Sequence, residues 1–224
     1  MKNLIYSMLL LSFSCVNQGT QKTQAKTNQI EDKNVSLEKH AAKVMDILIR
    51  KDFAALAEQI EMGQDLLFSP YGYIDTTSAI RFSKEKLKQA ATQQQKIKWG
   101  EYDGTGDPIE LNLAEYFDKF VTDKDYLKCG ANPINETTAV GNTVNNLEEV
   151  FPDYDFIEYY CKGSDKYSFM DWGALRLVYK VSDDKIYLVA IVHDQWTTWS
   201  CVDNIKWLPK AKTDYRFFPI LHTI

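Results

Sequence analysis

The chain has 224 residues, of which 45% are hydrophobic, 25% charged and 13% aromatic. This composition is typical of a folded globular protein and excludes a disordered, collagen-like or disulfide-dense small protein. The 26 basic and 31 acidic residues leave a net charge of −5, so the chain lacks the basic surface that nucleic-acid binding requires.

The first fourteen residues predict a signal peptide. Lys2 provides a short basic start, and the apolar run 4–11 that follows is too short to span a bilayer. Cys15 comes directly after this segment, with the small residue Ser14 before it. This arrangement resembles the lipobox of bacterial lipoproteins, in which the cysteine is lipidated and becomes the first residue of the mature chain. An ordinary secretory peptide with a chance cysteine is the alternative.

The resemblance implies a protein of the cell envelope, held on a membrane by lipid on Cys15. Val16 follows that cysteine in place of an acidic residue, which by analogy with lipoprotein sorting implies the periplasmic side of the outer membrane. Residues 15–34 are rich in Gln, Thr, Lys and Asn and poor in apolar residues, so they predict a flexible tether. We expect a single folded domain over residues 35–224.

Hydrophobic periodicity predicts an α+β domain that begins with helices and ends with strands. Helical spacing of apolar residues is found over 37–48, 53–60, 80–91 and 111–121. The segment 66–74 is extended and rich in turn residues, and a strand over 97–102 is closed by a turn at 103–108. The remaining strands are predicted over 143–151, 155–161, 174–182 and 185–196.

This order of elements resembles the nuclear-transport-factor-2-like, or cystatin-like, α+β fold over about residues 36–200. In that fold a curved, mainly antiparallel sheet wraps N-terminal helices into a cone. The resemblance implies no single function, since the fold hosts isomerases, dehydratases and binding modules.

Four sequence blocks resemble an uncharacterised family of bacterial exported proteins. They are FSPYGY at 68–73, WGEYDG at 99–104, the MDW and LRLV pair within 170–178, and IVHDQWT at 191–197. This second resemblance implies no particular activity.

The last two predicted strands form a hairpin with a two-residue turn at 183–184, which pairs Ser182 with Lys185. Side chains then alternate between two faces. In this register Asp171 and Asp194 lie diagonally opposed at the end of a wholly apolar face, with their backbones roughly 7–8 Å apart. His193 points to the opposite face, so His193 and Asp194 do not form a catalytic dyad.

Two carboxylates at the mouth of an apolar pocket are candidates for acid–base chemistry, because burial and a neighbouring like charge raise a carboxyl pKa. We therefore single out Asp171 and Asp194. The alternative is that both aspartates are structural and accept hydrogen bonds from loop amides and aromatic donors at the end of the strands.

Aromatic residues provide a second candidate site. Tyr71, Tyr73 and Trp196 lie in turn-flanked segments, where their rings can line a groove for a sugar, a peptide or another apolar ligand. The alternative is that these rings only fill space against a curved sheet.

The cysteines and histidines predict no metal site, and no motif calls for a cofactor. The three cysteines beyond Cys15 fit no zinc spacing, and the three histidines are scattered. Export permits a disulfide, for which Cys161 and Cys201 are the favoured pair. The alternative is that Cys129, Cys161 and Cys201 are all free thiols.

Together these features predict a lipid-anchored envelope protein whose domain binds a small molecule, a glycan, a peptide or an envelope protein without turning it over. The first alternative is a hydrolase or isomerase that uses Asp171 and Asp194 as acid and base. The second is an inhibitor or assembly factor that acts through an exposed sheet face.

Overall fold

The computed structural model describes residues 18–139, 144–182 and 185–197, with side chains from residue 31 onward. These residues form an α+β domain, which confirms the predicted fold class. The strands are β1 (Leu66–Ser69), β2 (Ile80–Phe82), β3 (Ile97–Glu101), β4 (Pro108–Leu111), β5 (Asp155–Cys161), β6 (Gly173–Ser182) and β7 (Lys185–Gln195). The helices are α1 (Gln18–Ile49), α2 (Phe53–Ala57), α3 (Lys84–Gln93), α4 (Leu113–Phe120), α5 (Tyr126–Cys129) and α6 (Leu147–Val150).

The main sheet has five strands in the order β2-β1-β7-β6-β5 and is open, with β2 and β5 at its edges. Its neighbouring strands are antiparallel except for β1 and β7, which run parallel. Because of that parallel pair, the carboxyl ends of β1 and β7 lie side by side. Strands β3 and β4 form a separate two-stranded antiparallel sheet.

Helix α1 begins at Gln18, inside the stretch for which the sequence predicts a flexible tether. Packing against the rest of the domain starts later, because Leu37 is its first buried residue among those from 31 onward. No described helix combines the length and the apolar character needed to cross a membrane.

Both faces of the main sheet are covered. The helices pack on one face, where Leu175, Leu177 and Ile191 belong to the larger hydrophobic core. Val178 and Val192 lie on the other face, in a smaller core to which α6 contributes Leu147. Strand β6 is consequently buried from Gly173 through Tyr179.

Three predicted elements differ from the structure. The strand predicted over 143–151 is wrong, because the described part of that segment contains the short helix α6 preceded by Asn146, whose side chain hydrogen-bonds the backbone of Ile74. The helix predicted from residue 80 begins at Lys84 instead, since Ser83 caps it and β2 precedes it. The predicted turn over 103–108 ends where β4 begins, and β4 completes a hairpin with β3.

Candidate functional site

Segments from the four sequence blocks meet where β1 and β7 end. Ser69 of β1 lies beside Val192 of β7. The carbonyl oxygen of the next residue, Pro70, accepts a hydrogen bond from Nδ1 of His193 at 2.9 Å. The hydroxyl of Tyr71 accepts a hydrogen bond at 3.1 Å from the backbone N–H of Asp103. The loop after β1 is therefore anchored on two sides, by β7 and by the turn after β3.

The predicted register of the last hairpin holds only at its tip. Ser182 pairs with Lys185 as expected, and residues 183 and 184 lie outside the described part of the chain. Between Val178 and Tyr179 the register shifts by one residue, because Val189 is a bulge. From Val178 backwards every β6 residue therefore faces a β7 residue one position later than predicted.

The bulge exchanges the predicted orientations of His193 and Asp194. His193 now pairs with Leu175 and lies on the helix-covered face, whereas Asp194 pairs with Ala174 on the same face as Arg176. The prediction that Asp194 continues the apolar face of Leu175 is therefore wrong. The prediction that His193 and Asp194 form no dyad stands, because the two residues still point to opposite faces.

Asp194 belongs to a buried charge cluster that it forms with Arg176 and Glu158. Both terminal nitrogens of Arg176 donate to Oδ2 of Asp194, at 3.0 and 3.1 Å, and its Nε donates to Oε2 of Glu158 at 2.8 Å. Oε1 of Glu158 also accepts two backbone N–H groups, from Thr138 and Ala139. Asp194 is therefore an ion-pair partner of a fully buried guanidinium.

Arg176 and Glu158 are not among the candidate site residues predicted from the sequence. The available signal is a single charge inside an otherwise apolar strand, as in ALRLV at 174–178 and FIEYY at 156–160. A lone charge at a buried strand position requires a partner of opposite sign, so each residue predicts the other. In the structure Arg176 of β6 and Glu158 of β5 are paired directly opposite each other, as this requirement predicts.

Asp171 precedes β6 and holds a loop. Its two carboxylate oxygens accept the backbone N–H of Ser164 at 2.6 Å and the Ser164 hydroxyl at 2.9 Å. The hydrogen bond from the Ser164 N–H is the main cause of a pKa below the ordinary aspartate value. Asp171 and Asp194 thus accept hydrogen bonds from different groups, and the acid–base role of the pair stays a prediction.

His193 takes part in a second polar group on the helix-covered face. Its ring is buried, with Nε2 3.5 Å from Oδ2 of Asp123. The other carboxylate oxygen of Asp123, Oδ1, accepts a hydrogen bond from the hydroxyl of Tyr126 at 2.9 Å. Burial acts to raise the pKa of Asp123. The neighbouring imidazole of His193, the hydroxyl of Tyr126 and the ammonium group of Lys124 outweigh the effect of burial and lower the pKa of Asp123 overall. Phe120 packs edge-on against the imidazole, so the group is enclosed.

A groove of about 420 Å³ lies between the loop after β1 and strand β3, and we call it the aromatic groove. Its aromatic rings are those of Phe68, Tyr71, Tyr73 and Trp99. Its charged groups are those of Asp75, Lys98 and Glu101. Two predicted aromatic residues therefore share one cavity, in which Trp99 joins them. Neither Asp171 nor Asp194 lines this groove.

The rings of the aromatic groove differ in exposure. Trp99 is buried and stacks on Tyr116 with ring centroids 3.8 Å apart, and its indole N–H donates to the carbonyl of Leu111. Tyr71 is half-buried, with a pKa raised mainly by burial. Tyr73 is 57% exposed, so its ring projects from a wall that the less exposed rings form.

Trp196, the third predicted aromatic residue, is 40% exposed and is not among the residues that line the groove. The disulfide prediction also needs correction. Cys161, at the end of β5, is bonded to Cys129 at the end of α5, with their Cα atoms 5.1 Å apart. Cys201 and Cys15 lie outside the described residues.

The described residues contain no cluster of three or more His, Cys, Asp or Glu side chains suited to a metal ion. The polar side chains near the ends of β1 and β7 instead contact other protein groups. The aromatic groove contains two of the aromatic residues that the sequence singles out, and we therefore consider it the candidate binding site. Comparisons with protein-family models, curated proteins and solved structures find no match for this chain.

Proposed function

We propose that this protein is an envelope lipoprotein, held by lipid on Cys15, whose α+β domain binds a glycan in the aromatic groove and releases it unchanged. The lipobox resemblance and the start of packing near Leu37 support an anchored body. Helices packed on one face of the sheet support the cystatin-like comparison.

The lipid anchor can be tested by cell fractionation. Cys15→Ala is expected to move the protein from the membrane to the soluble fraction. Unchanged membrane association would contradict the anchor.

The observation that carries the proposal is the combination of ring faces and charged groups in one groove. A volume of about 420 Å³ falls within the range of small-ligand sites. A sugar presents an apolar C–H face that stacks on an aromatic ring, and hydroxyl groups that bond with carboxylates and ammonium groups. Tyr73 offers the accessible ring, while Lys98 and Glu101 stand on the facing strand β3.

Fixed walls favour binding because they reduce the ordering cost when a ligand enters. The hydroxyl of Tyr71 is bonded to the backbone of Asp103, and Trp99 is locked by its stack and its hydrogen bond. Gly72 between the two tyrosines contributes to this arrangement. A Cβ at that position would lie 2.6 Å from Oδ2 of Asp194, so only glycine lets the loop lie this close to the buried charge cluster.

The two alternative functions have less support. An acid–base enzyme needs an available proton donor, whereas Asp194 is paired with Arg176 and Asp171 accepts two hydrogen bonds from Ser164. An inhibitor acting through an exposed sheet face needs such a face. The central strand β6 is buried from Gly173 to Tyr179 by covering layers on both sides.

Sedimentation with purified peptidoglycan tests the proposal, with its soluble disaccharide fragments as the second probe. Tyr73→Ala is expected to weaken binding about 10-fold or more, as loss of an accessible stacking ring does. Tyr167→Ala removes an equally exposed tyrosine outside the groove and serves as the matched control. The binding assignment fails if the wild type binds neither probe, or if the two variants bind equally. Cleaved or altered fragments, detected by mass spectrometry, would contradict release of an unchanged ligand.

A further inference from the structure

The loop 164–171, which we call the exposed aromatic loop, carries a concentration of accessible apolar side chains. Tyr167, Phe169 and Met170 are 51%, 44% and 48% exposed. Other large exposed hydrophobic residues in the described chain, such as Met62 and Val144, stand singly. Three accessible apolar side chains within four residues are a surface feature that a soluble domain does not need for its own stability.

The loop is held in a fixed shape. The Ser164 carbonyl accepts the N–H groups of Tyr167 and Phe169, and Asp171 accepts both the N–H and the hydroxyl of Ser164. Gly163 lets the backbone close on itself, since a Cβ there would overlap the carbonyl of Phe169. The turn that carries the rings is therefore held in one conformation by hydrogen bonds and close backbone packing.

The backbone of this turn is in an unusual conformation. Ser168 and Phe169 have φ angles of 52° and 61°, in the left-handed region that non-glycine residues rarely adopt. Two consecutive residues of this kind persist only where surrounding contacts impose them, and such strain concentrates at functional segments.

Lysine side chains accompany the rings. Nζ of Lys162 lies 5.0 Å from the ring centroid of Phe169, and Nζ of Lys166 lies 4.8 Å from that of Tyr167. Aromatic rings next to lysines are the combination found at membrane–water interfaces, where rings enter the headgroup boundary and ammonium groups reach lipid phosphates. The loop also carries the carboxylates of Asp165 and Asp171, the second of which accepts the N–H and the hydroxyl of Ser164.

We propose that the exposed aromatic loop is a membrane contact, with Tyr167, Phe169 and Met170 entering the headgroup region of a bilayer and Lys162 and Lys166 at the phosphates. Three apolar side chains and two lysines are far fewer than the roughly 20–30 residues that each partner contributes to a stable protein–protein interface. Shallow insertion of a few rings is instead effective as a second, weak attachment beside a lipid chain. This site is separate from the aromatic groove and does not depend on its ligand.

Vesicle sedimentation of the chain from Val16 onward tests this proposal. Secretion behind a cleaved signal peptide leaves it without lipid and allows the Cys129–Cys161 disulfide to form. The wild type is expected to bind phosphatidylcholine vesicles, and the triple variant Tyr167→Ser, Phe169→Ser, Met170→Ser to bind about 10-fold more weakly or not at all. Met62→Ser with Tyr73→Ser removes exposed apolar side chains elsewhere and should bind like the wild type.

Three results would overturn the membrane contact. One is no sedimentation of the wild type with phosphatidylcholine vesicles, with or without added phosphatidylglycerol. Another is equal binding of the wild type and the triple variant. The third is loss of binding in both the triple variant and the control, which would indicate general stickiness. The triple variant should bind peptidoglycan as well as the wild type does. Failure of the membrane-contact proposal therefore leaves the glycan proposal intact. Failure of the glycan proposal likewise leaves the membrane contact intact.

Discussion

At the residue scale, the charges inside the sheet explain why Asp194 does not lie on the apolar face that Leu175 belongs to. Arg176 is fully buried and its hydrogen bonds go to two carboxylates that are also buried, Glu158 and Asp194. Desolvating three charges is expensive, and the cost is offset only while each charge keeps its partners. The sequence contains a signal for Arg176 and Glu158, since each is a single charge in an apolar strand, but which charges meet depends on strand pairing and on the bulge at Val189.

Replacing Arg176 by Met is expected to lower the free energy of unfolding by about 3–5 kcal/mol, because two buried carboxylates lose their cation. Urea denaturation followed by circular dichroism measures the loss. Lys180→Met is the matched control, since it breaks the partly exposed Lys180–Glu61 pair and should cost no more than about 1 kcal/mol. Equal small losses in both variants would mean that Arg176 does not hold the cluster together.

At the element scale, the sequence predicts elements better than it predicts their relations. Strand β5 was predicted with its observed bounds, and helix α4 is buried through the four apolar residues that suggested it, Leu113, Tyr116, Phe117 and Phe120. The predicted pairing of β6 with β7 agrees with the structure from Tyr179 to Ser182 and is shifted by one residue from Val178 back to Gly173. A bulge leaves no mark in hydrophobic alternation when both faces are buried, because Val189, Ala190, Ile191 and Val192 suit either face.

The same reasoning explains the cysteine pairing. Proximity along a predicted strand order favoured Cys161 with Cys201, whereas a four-residue helix that no periodicity reveals brings Cys129 to the end of β5. Residues 131–135 then continue along β5, with Asn132 and Asn135 hydrogen-bonded to the backbone of Glu158 and Phe156. The disulfide thus closes a segment that covers the edge of the sheet.

Removing this disulfide is expected to cost roughly 3–4 kcal/mol, the value for a closed loop of 32 residues. Cys129→Ala with Cys161→Ala should show the loss in urea denaturation. Reductant should destabilise the wild type by a similar amount and leave the double variant unchanged. A wild type that is indifferent to reductant, although its thiols are titrated as reduced, would contradict a stabilising role for the bond.

At the scale of the whole molecule, several carboxylates are held in their charged form by local hydrogen bonds. Asp75 at the edge of the aromatic groove accepts from the hydroxyls of Ser78 and Thr77 and from the Thr77 N–H, and these bonds lower its pKa from 3.8 to about 2. Asp171 and Asp123 also have lowered pKa values. A carboxyl group whose pKa is lower in the folded state binds fewer protons there than in the unfolded chain.

Acid is therefore expected to weaken the fold. The stabilisation by Asp75 is complete above its unfolded pKa near 4 and is lost as the pH falls through about 2. Asp75→Asn should lower the free energy of unfolding at about pH 6, and its difference from the wild type should shrink towards about pH 2, because protonated wild type has lost the same bonds. Asp153→Asn, at an exposed aspartate away from the groove, is the control. A difference between Asp75→Asn and the wild type that stays constant with pH would mean that the turn at 75–78 holds its shape without the charge.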